Sequence, residues 1–430
     1  MKKILVAMFL MVSAFTQAQH YVLDSIEKAD SKLIDFGENV LKYADDSPYF
    51  SYFFSQLDSL YNGDKKKLHI FHIGGSHIQA DIYSNKLRTY LQNMNDVSIS
   101  QRGFVFPYHL AHTNNPTNYR IEANNEKWKG YRCSRRDSVV WGLAGITAEF
   151  KDEIDTIYVK SNYKNYTDKD YCYNKLRVFY NTWDKDYELR VLEKELVDEI
   201  IVDSVYAYRQ FNFKTDIDSV AVEIKLKSEV VGKNHASFYL MGMELMNDEP
   251  GIEYTSIGVN GASFKSYNKC AYFEQQLKLY EPDLFIISIG TNDAYTYHFD
   301  EEKFRENYDN FIQMIQRVNP QCAILLTVPN DSYFKRKYAN KNTQKEQRII
   351  LELAQKRQMA VWDFYAVMGG LGSSQKWYRN HLMPRDRIHF THLGYSIKAD
   401  LLLSALVRQW ERTTNRPEES LLTHFKSLDE

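Results

Sequence analysis

The sequence has no excess of positive charge that would suit a polyanionic partner. Its 54 Lys and Arg residues are balanced by 56 Asp and Glu residues, which gives a formal net charge of -2 over 430 residues. Binding to nucleic acid needs clustered cations that neutralise phosphates, so no nucleic-acid partner is expected. With 44% hydrophobic residues, the chain can bury a sizeable core in two domains or in one elaborated domain.

Cysteine is scarce, and its spacing excludes the compact motifs that bind zinc or exchange disulfides. The cysteines are too far apart for a C-x-x-C motif and occupy positions Cys133, Cys172, Cys270 and Cys322. We expect buried free thiols, although an exported chain could oxidise a pair. If any pair bonds, Cys133 with Cys172 is the first candidate, because both fall in the β-rich middle of the chain.

An apolar stretch at the N-terminus is typical of a signal peptide. Lys2 and Lys3 precede the apolar run 4–15, and the small residues of 16–18 predict cleavage before Gln19. A transmembrane anchor is the alternative, but about twelve apolar residues are fewer than the roughly 20 that a membrane-spanning helix needs. We therefore expect export to the periplasm or the extracellular space, with no transmembrane segment in the mature chain.

Alternating strand and helix patterns in the first and last parts of the chain predict an α/β domain. The apolar run 68–73 is followed by the helical pattern 78–93. Further apolar runs lie at 284–289, 323–328 and 360–364, and further helical patterns lie at 301–318, 343–358 and 395–410. Such alternation implies a parallel sheet that is covered by helices on both faces.

The middle of the chain has short runs in which polar and apolar residues alternate. Runs such as 156–159, 176–180 and 220–226 are separated by turn residues, which is typical of an antiparallel β-sandwich. The two boundaries of this insert, near 112–120 and 246–252, should lie close together because the α/β chain must resume where it left off. The predicted order is signal peptide 1–18, helical prefix 19–62, α/β domain 63–112, inserted sandwich 113–249, α/β domain 250–412 and C-terminal tail 413–430.

Four segments with chemically useful residues follow predicted strands or precede the last helix. Ligands of parallel α/β sheets collect at the carboxyl ends of strands, so these residues are candidates for one site. They are Ser76 in a Gly-Gly-Ser-His turn, Gly261, Asn292, and Asp386 with His389. Each segment alone also has an ordinary structural explanation, as a helix cap, a strand-ending turn or an Asx turn.

Together, the residue types of these segments suit nucleophilic catalysis by a serine. The spacing of three lets the Asp386 carboxylate reach the His389 Nδ1–H, which leaves Nε2 free to accept the serine proton. A backbone N–H at Gly261 and the Asn292 amide suit the oxyanion of a tetrahedral intermediate. His392 competes with His389 for the base role, and the two could suggest a metal. With no third ligand at a suitable spacing, we expect no metal and no cofactor.

The order Ser, Gly, Asn and Asp-x-x-His resembles the four blocks of the SGNH/GDSL hydrolase superfamily. This resemblance implies a flavodoxin-like three-layer α/β/α hydrolase domain with an inserted antiparallel β-sandwich. It implies Ser76 as nucleophile and Asp386 with His389 as the rest of the triad. It also assigns the oxyanion hole to the N–H groups of Ser76 and Gly261 and to the side chain of Asn292.

A narrower resemblance is to the peptidoglycan O-acetylesterases of Gram-negative bacteria. It rests on the Gly-Gly-Ser-His block, on the Arg-Gly-Phe stretch 102–104 and on the position of the insert. The chain departs from the family in having Gly75 where the first block usually has Asp. The resemblance implies a secreted serine esterase that removes O-acetyl groups from a polysaccharide, with peptidoglycan as one candidate substrate.

Two other functions remain open at this stage. An esterase for acetyl-xylan or another dietary glycan would use the same chemistry. A glycan-binding or envelope protein with weak catalysis is the third hypothesis, and Gly75 motivates it. Aromatic residues of the insert could stack on sugar rings, but packing in the sandwich core is the favoured interpretation for Trp128, Tyr131, Trp141 and Trp183.

Overall fold

The computed structural model describes Ile26 and residues 31–64, 66–95, 101–162, 170–232 and 236–427. The predicted signal peptide lies outside these residues. The strands are β1 Leu41–Lys42, β2 Lys67–Gly74, β3 Gly103–Val105, β4 Arg120–Glu122, β5 Trp128–Arg132, β6 Ile146–Phe150, β7 Ile154–Lys160, β8 Tyr173–Tyr180, β9 Tyr187–Val191, β10 Val197–Asp203, β11 Tyr208–Ile217, β12 Ser219–Leu226, β13 Phe238–Met246, β14 Gly251–Gly258, β15 Leu284–Ser288, β16 Ala323–Thr327, β17 Tyr333–Phe334, β18 Tyr338–Ala339 and β19 Ala360–Trp362.

The α-helices of the described residues lie mainly in the second half of the chain. They are α1 Pro48–Tyr61, α2 Ser76–Gln79, α3 Tyr83–Gln92, α4 Phe264–Tyr267, α5 Phe273–Leu277, α6 Glu301–Val318, α7 Asn342–Arg357, α8 Phe364–Val367, α9 Ser373–Arg379, α10 His392–Thr413 and α11 Ser420–Ser427. None of these helices is long and apolar enough to cross a membrane.

A six-stranded sheet in the order β1-β19-β16-β15-β2-β14 forms the centre of the α/β domain. All pairs are parallel except the edge pair of β1 with β19. From β2 onward, the five parallel strands of this sheet have the flavodoxin-like order 2-1-3-4-5, in which ligands bind at the switch point beside the first strand. The predicted flavodoxin-like fold is therefore confirmed.

The parallel strands are buried on both faces, so they read in the sequence as continuous apolar runs. In β2, Leu68 and Ile70 join one hydrophobic cluster, which also contains residues of α1, α3 and α10. Phe71 and Ile73 join a second cluster, which contains residues of α6 and α7 and continues into the insert. The sheet therefore has a helical layer on each face.

A buried histidine ties the three neighbouring strands at the centre of the sheet together. His72 of β2 hydrogen-bonds Tyr254 Oη of β14 at 2.7 Å through Nδ1, and Ser288 Oγ of β15 at 2.8 Å through Nε2. Complete burial lowers the pKa of His72 to about 3. The ring is therefore neutral, with one nitrogen donating and the other accepting.

The insert consists of two antiparallel sheets with a shared core. One sheet has the order β10-β11-β8-β13-β6-β5 with β3 beside β13, and the other has the order β4-β7-β12-β9. The Tyr187 ring of the second sheet lies 5.8 Å from Phe150 and 6.0 Å from Phe238 of the first. The sheets therefore pack face to face, as in a β-sandwich.

The chain enters and leaves the insert through paired strands. Gly103–Val105 pairs with Met243–Leu245, and Gln101 forms a parallel bridge with Glu253 of β14. Strand β3 thus already belongs to a sheet of the insert, although the insert was predicted to start at residue 113. Entry and exit lie side by side at this strand pair.

Several local features differ from the sequence-based expectation. The predicted prefix contains β1, which adds an antiparallel edge to the main sheet. The predicted tail 413–430 contains α11, whose side chains Leu421, Leu422 and Phe425 are buried. The tail assignment is therefore wrong for this helix, because its apolar residues pack into the core beside α10.

The cysteines of the described residues are free thiols. Cys133, Cys270 and Cys322 are buried, whereas Cys172 is exposed. The thiol beside Cys133 is that of Cys270, whose pKa is raised by burial and by the neighbouring Cys133 sulfur. Cys133 with Cys172, named as the first candidate only if any pair bonds, is not joined in this structure, because the fold places Cys133 beside Cys270.

Two of the four aromatic residues singled out in the insert belong to its core. Trp128 and Trp141 are each only 3% exposed. Trp183 is 48% exposed, but its ring stacks on Tyr272 at a centroid distance of 5.6 Å and an interplanar angle of 8°. Tyr131 is partly buried and donates to Glu149 Oε2 at 2.9 Å. Core packing is therefore the correct interpretation for the two buried tryptophans.

A buried carboxylate fixes the turn between α2 and α3. Asp81 has a positive φ of 47° and is 6% exposed. It forms ion pairs with Arg88 at 3.1 Å and Arg102 at 3.3 Å, and it accepts hydrogen bonds from Asn118 at 2.8 Å and Ser256 at 2.7 Å. Burial alone would raise the pKa of Asp81, but the two guanidinium groups lower it. One ionised side chain therefore joins the helices after β2 to β14 and to the start of the insert.

We predict that Asp81→Ala destabilises the protein by about 3 to 5 kcal/mol, because it leaves two buried cations without their partner. The free energy of unfolding from urea denaturation measures this. Glu306→Ala is the matched control, since it removes one carboxylate from the exposed Lys303–Glu306 pair, and it should change stability by less than about 1 kcal/mol. Equal losses in the two variants would contradict a structural role for the Asp81 cluster.

Candidate active site

The turn after β2 presents Ser76 at the first position of α2. Gly75 is the N-cap residue, so the Ser76 N–H is one of the helix N–H groups without an intrahelical partner. The turn is tightly packed, because a Cβ on Gly74 would lie 2.3 Å from Ile78 Cγ1 and one on Gly258 would lie 2.0 Å from the Gln79 nitrogen. Glycine at these two positions lets β2, β14 and α2 meet beside the serine.

The Ser76 hydroxyl is hydrogen-bonded to a histidine and, through it, to a carboxylate. Ser76 Oγ lies 2.8 Å from His389 Nε2, and His389 Nδ1 lies 2.9 Å from Asp386 Oδ2. The second Asp386 oxygen accepts from the backbone N–H of Ile388 at 2.8 Å and of His389 at 3.1 Å. Serine, imidazole and carboxylate therefore form one continuous hydrogen-bonded chain.

The environment of Asp386 keeps its carboxylate ionised. Partial burial alone would raise the pKa of Asp386, but the hydrogen bonds from the His389 ring and from the two backbone N–H groups lower it to about 2. At neutral pH the carboxylate therefore accepts a hydrogen bond from the His389 Nδ1–H, which selects the tautomer with Nε2 free to face Ser76.

Asn292 and Gly261 lie in the two loops that follow β15 and β14. Asn292 Nδ2 donates to the Ala262 carbonyl at 2.9 Å, which connects the loop after β15 to the loop after β14. This bond uses one of the two amide hydrogens and leaves the other available to the cleft. Gly261 has φ 81°, a conformation that favours glycine, and the Asn260 N–H before it donates to Gln79 Oε1 at 2.8 Å.

These groups share one cleft of about 440 Å³. Its walls include Ser76, Gly261, Asn292, Tyr295 and His389. The cleft lies at the carboxyl edge of the sheet, beside the switch point between β2 and β15. The structure thus brings the predicted nucleophile, base and oxyanion donors together. His392, the competing histidine, is exposed as the first residue of α10 and does not line the cleft.

The His389 ring is supported by His77 and Tyr395, which were not among the residues predicted from the sequence. The His77 ring lies 5.2 Å from the His389 ring at 36°, and His77 Nδ1 hydrogen-bonds Tyr395 Oη at 3.0 Å. Burial, together with nearby Lys398 and His389, lowers the pKa of His77, so this ring is neutral beside the candidate base. His77 could have been predicted from its position directly after Ser76 in the Gly-Gly-Ser-His block.

The departure at Gly75 has a steric explanation. A Cβ at this position would lie 3.1 Å from Asn292 Nδ2, which is closer than an ordinary van der Waals contact. Glycine leaves room for the amide to reach both Ala262 and the cleft.

No group of three or more His, Cys, Asp or Glu residues that could hold a metal ion occurs among the described residues.

The sequence of the C-terminal part of the chain matches a known protein family. Residues 241–397 match the model of the GDSL-like Lipase/Acylhydrolase family. This segment contains Gly261, Asn292, Asp386 and His389, whereas Ser76 precedes it. No curated protein matches the chain in sequence.

Solved structures are similar to this chain over different shares of its length. A peptidoglycan O-acetylesterase is 20% identical with a TM-score of 0.67, and the match covers 86% of this chain and 97% of that chain. An acetyl xylan esterase is 23% identical with a TM-score of 0.30, covering 36% of this chain and 81% of that one. A lipase/acylhydrolase from Enterococcus faecalis is 19% identical with a TM-score of 0.29, covering 38% and 77%. The predicted resemblance to SGNH/GDSL hydrolases is confirmed, and the chain has their fold with a β-rich insert.

We predict that Gly75→Ala lowers kcat for a chromogenic acetate ester by about tenfold or more with little change in KM. The added methyl group must displace the Asn292 amide, and small displacements of a catalytic donor are costly for the transition state. Gly37→Ala is the matched control, because Gly37 is exposed and remote from the cleft. A Gly75→Ala variant with unchanged kcat would contradict the steric explanation.

Proposed function

We propose that this protein is a secreted serine esterase that removes O-acetyl groups from a polysaccharide, with peptidoglycan as the leading substrate. The observation that carries the proposal is the hydrogen-bonded chain Ser76–His389–Asp386 in a cleft that Asn292 and Gly261 also line. Four separate segments of the chain supply these groups: the turn after β2, the loop after β14, the loop after β15 and the loop before α10. Local structure alone gives no reason for them to converge on one serine.

In the first step, Ser76 Oγ attacks the acetyl carbonyl carbon while His389 Nε2 takes the hydroxyl proton. The 2.8 Å separation between these atoms is within the range for direct proton transfer. Asp386 remains ionised, stabilises the imidazolium that forms and holds it in position. The product of this step is a tetrahedral intermediate with a negative carbonyl oxygen.

The oxyanion is stabilised by the Ser76 N–H, the Gly261 N–H and the Asn292 amide. These donors are fixed before the reaction by the helix start, by a glycine turn and by the bond from Asn292 to Ala262. Fixed donors stabilise developing charge without reorganisation, and each contributes about 10²- to 10³-fold to kcat.

Collapse of the intermediate breaks the bond to the sugar oxygen, which takes the proton from His389. The acetyl group then remains on Ser76 as an ester. Water attacks this acyl-enzyme with His389 again acting as base, which releases acetate and restores the serine. The cycle uses only groups of the chain and water.

The substrate assignment rests on fold similarity and on the expected export of the chain. A solved peptidoglycan O-acetylesterase matches the chain, with 97% of its own length and 86% of this chain covered. Acetylated peptidoglycan lies outside the cytoplasm, and the predicted signal peptide would deliver the enzyme there. Acetylated peptidoglycan is therefore the first polymer to test, beside acetylated xylan and a chromogenic acetate ester.

We predict that Ser76→Ala and His389→Ala each lower kcat/KM for p-nitrophenyl acetate by about 10³-fold or more, because the triad acts as a unit. His392→Ala, three residues further along at the start of α10, is the matched control and should retain most of the activity. Circular dichroism and thermal unfolding verify that the variants fold. If His392→Ala inactivates the protein while His389→Ala is tolerated, the assignment of the base is wrong.

A serine-directed fluorophosphonate probe separates the esterase from a binding protein with the same fold. Wild-type protein should be labelled at Ser76 with release of the fluoride leaving group, and Ser76→Ala should not be labelled. Failure of the folded wild type both to label and to hydrolyse any of the three substrates would contradict the proposed function.

We predict that Asn292→Ala lowers kcat by about 10²- to 10³-fold with a smaller change in KM, since the donor acts mainly in the transition state. Steady-state kinetics on p-nitrophenyl acetate measure both constants. Asn114→Ala, which changes another amide of the cleft wall, is the matched control. A change confined to KM would show that Asn292 binds substrate rather than the oxyanion.

A further inference from the structure

A short hairpin contacts two of the loops that carry candidate catalytic groups, the loop after β15 and the loop before α10. Strands β17 and β18 form this hairpin, with Lys335 and Arg336 at its tip in the left-handed region, at φ 51° and 59°. The Tyr333 N–H donates to the Arg387 carbonyl at 3.1 Å, and the Lys335 N–H donates to Tyr295 Oη at 3.0 Å. Arg387 lies between Asp386 and His389, while Tyr295 lines the cleft. The hairpin therefore forms the rim of the cleft.

Aromatic rings line this rim. Phe334 of the hairpin packs against Tyr295 at a centroid distance of 4.8 Å and against Tyr297 at 4.7 Å. Tyr297 is 68% exposed, and Tyr338 is 66% exposed. Such exposure contributes little to a core, whereas exposed rings beside a cleft can bind apolar faces of a ligand. We call Tyr295, Tyr297, Phe334 and the tip 335–337 the rim platform.

The tip of the hairpin places three consecutive cations beside these rings. Lys335, Arg336 and Lys337 are all exposed, and within the described part of the chain none of them forms an ion pair with a carboxylate. Lys335 Nζ lies 4.5 Å from the centre of the Tyr297 ring. The whole chain has a net charge of -2, so this is a local concentration of positive charge at the cleft.

We propose that the rim platform is a substrate subsite that binds a carboxylate-bearing segment of the glycan next to the acetylated sugar. The inference rests on the proposed function, because it assigns the acetyl group to the cleft at Ser76. A sugar ring can stack on the exposed Tyr297, while a carboxylate on the same or the next residue reaches Lys335 and Lys337. A neutral glycan would gain only the ring contact.

Continuity with the cleft supports this occupant over an unrelated ligand. Tyr295 belongs to both the cleft wall and the rim platform, so a chain seated at Ser76 continues across its ring. Contacts remote from the reacting bond hold a polymer in place without changing the chemistry at the serine. The subsite should therefore affect KM for an anionic polymer and leave hydrolysis of a small ester unchanged.

The charge of the subsite is tested with the double variant Lys335→Ala/Lys337→Ala. We expect KM for O-acetylated peptidoglycan to rise roughly five- to tenfold, with no change for acetylated neutral xylan or p-nitrophenyl acetate. Raising NaCl from about 0.05 M to about 0.5 M should raise the wild-type KM for peptidoglycan and should affect the double variant much less. Lys278→Ala is the matched control, because this exposed lysine precedes β15, at the amino end of the sheet and away from the cleft.

The ring contact is tested with Tyr297→Ala. We expect KM to rise for both polymers and to stay unchanged for p-nitrophenyl acetate. Tyr52→Ala on α1, which removes another exposed tyrosine ring outside the cleft, is the control. Thermal unfolding should show the same midpoint for wild type and all variants.

Cosedimentation with deacetylated peptidoglycan tests the subsite without turnover. Wild type should bind more tightly than the double variant, and added salt should remove the difference. Equal binding by the two proteins, or an equal KM for peptidoglycan, overturns the subsite. Loss of all ester hydrolysis in the wild type would instead contradict the proposed function, and cosedimentation would still decide the inference.

Discussion

The parallel register at the centre of the sheet is the constraint on which the candidate site depends. Gly74 lies opposite Gly258 of β14 and opposite Ser288 of β15, so three strands end at one level. The loops that follow them carry Ser76, Gly261 and Asn292. A shift of one strand by a single residue would reverse its faces and separate the donors from the serine. The bonds of buried His72 to Tyr254 and Ser288 hold the same three strands in this register.

A second buried polar group connects this strand alignment to the insert. The helix that begins at Ser76 ends before Asp81, whose carboxylate is shared by Arg88, Arg102 and side chains from β14 and the start of the insert. Burying three charges is unfavourable unless each is paired and hydrogen-bonded. Asp81 and Arg88 meet this condition through several partners, whereas Arg102 bonds Asp81 and Asn118 through Nη2 and its Nε has no hydrogen-bond partner. The insert is therefore coupled to the turn that presents the serine, rather than attached by a flexible linker.

The sequence predicted the features that are encoded locally. Buried parallel strands appear as apolar runs. A spacing of three residues lets the Asp386 carboxylate reach the His389 ring, so this hydrogen bond could be predicted from the sequence. Asp81 was not predictable, because its partners lie on four separate elements and its surrounding sequence has no distinctive pattern. The two-residue strands β1 and β17 were not predictable from the sequence either, since an alternation of apolar and polar residues cannot be recognised over two residues. Only the assembled fold showed that Cys133 lies beside Cys270.

The candidate catalytic groups and the proposed subsite come from different parts of the chain, and this explains why the sequence predicted the first and not the second. The candidate catalytic groups follow strand ends or precede the last helix, where the fold dictates their position and leaves a recurring order in the sequence. The rim platform is built from a loop and a short hairpin, which carry no periodic signal and vary freely on a fixed scaffold. Gly75 belongs with the first group, because its missing side chain is explained by the space that Asn292 occupies. Evidence about the glycan therefore has to come from Tyr297, Lys335 and their neighbours rather than from the catalytic blocks.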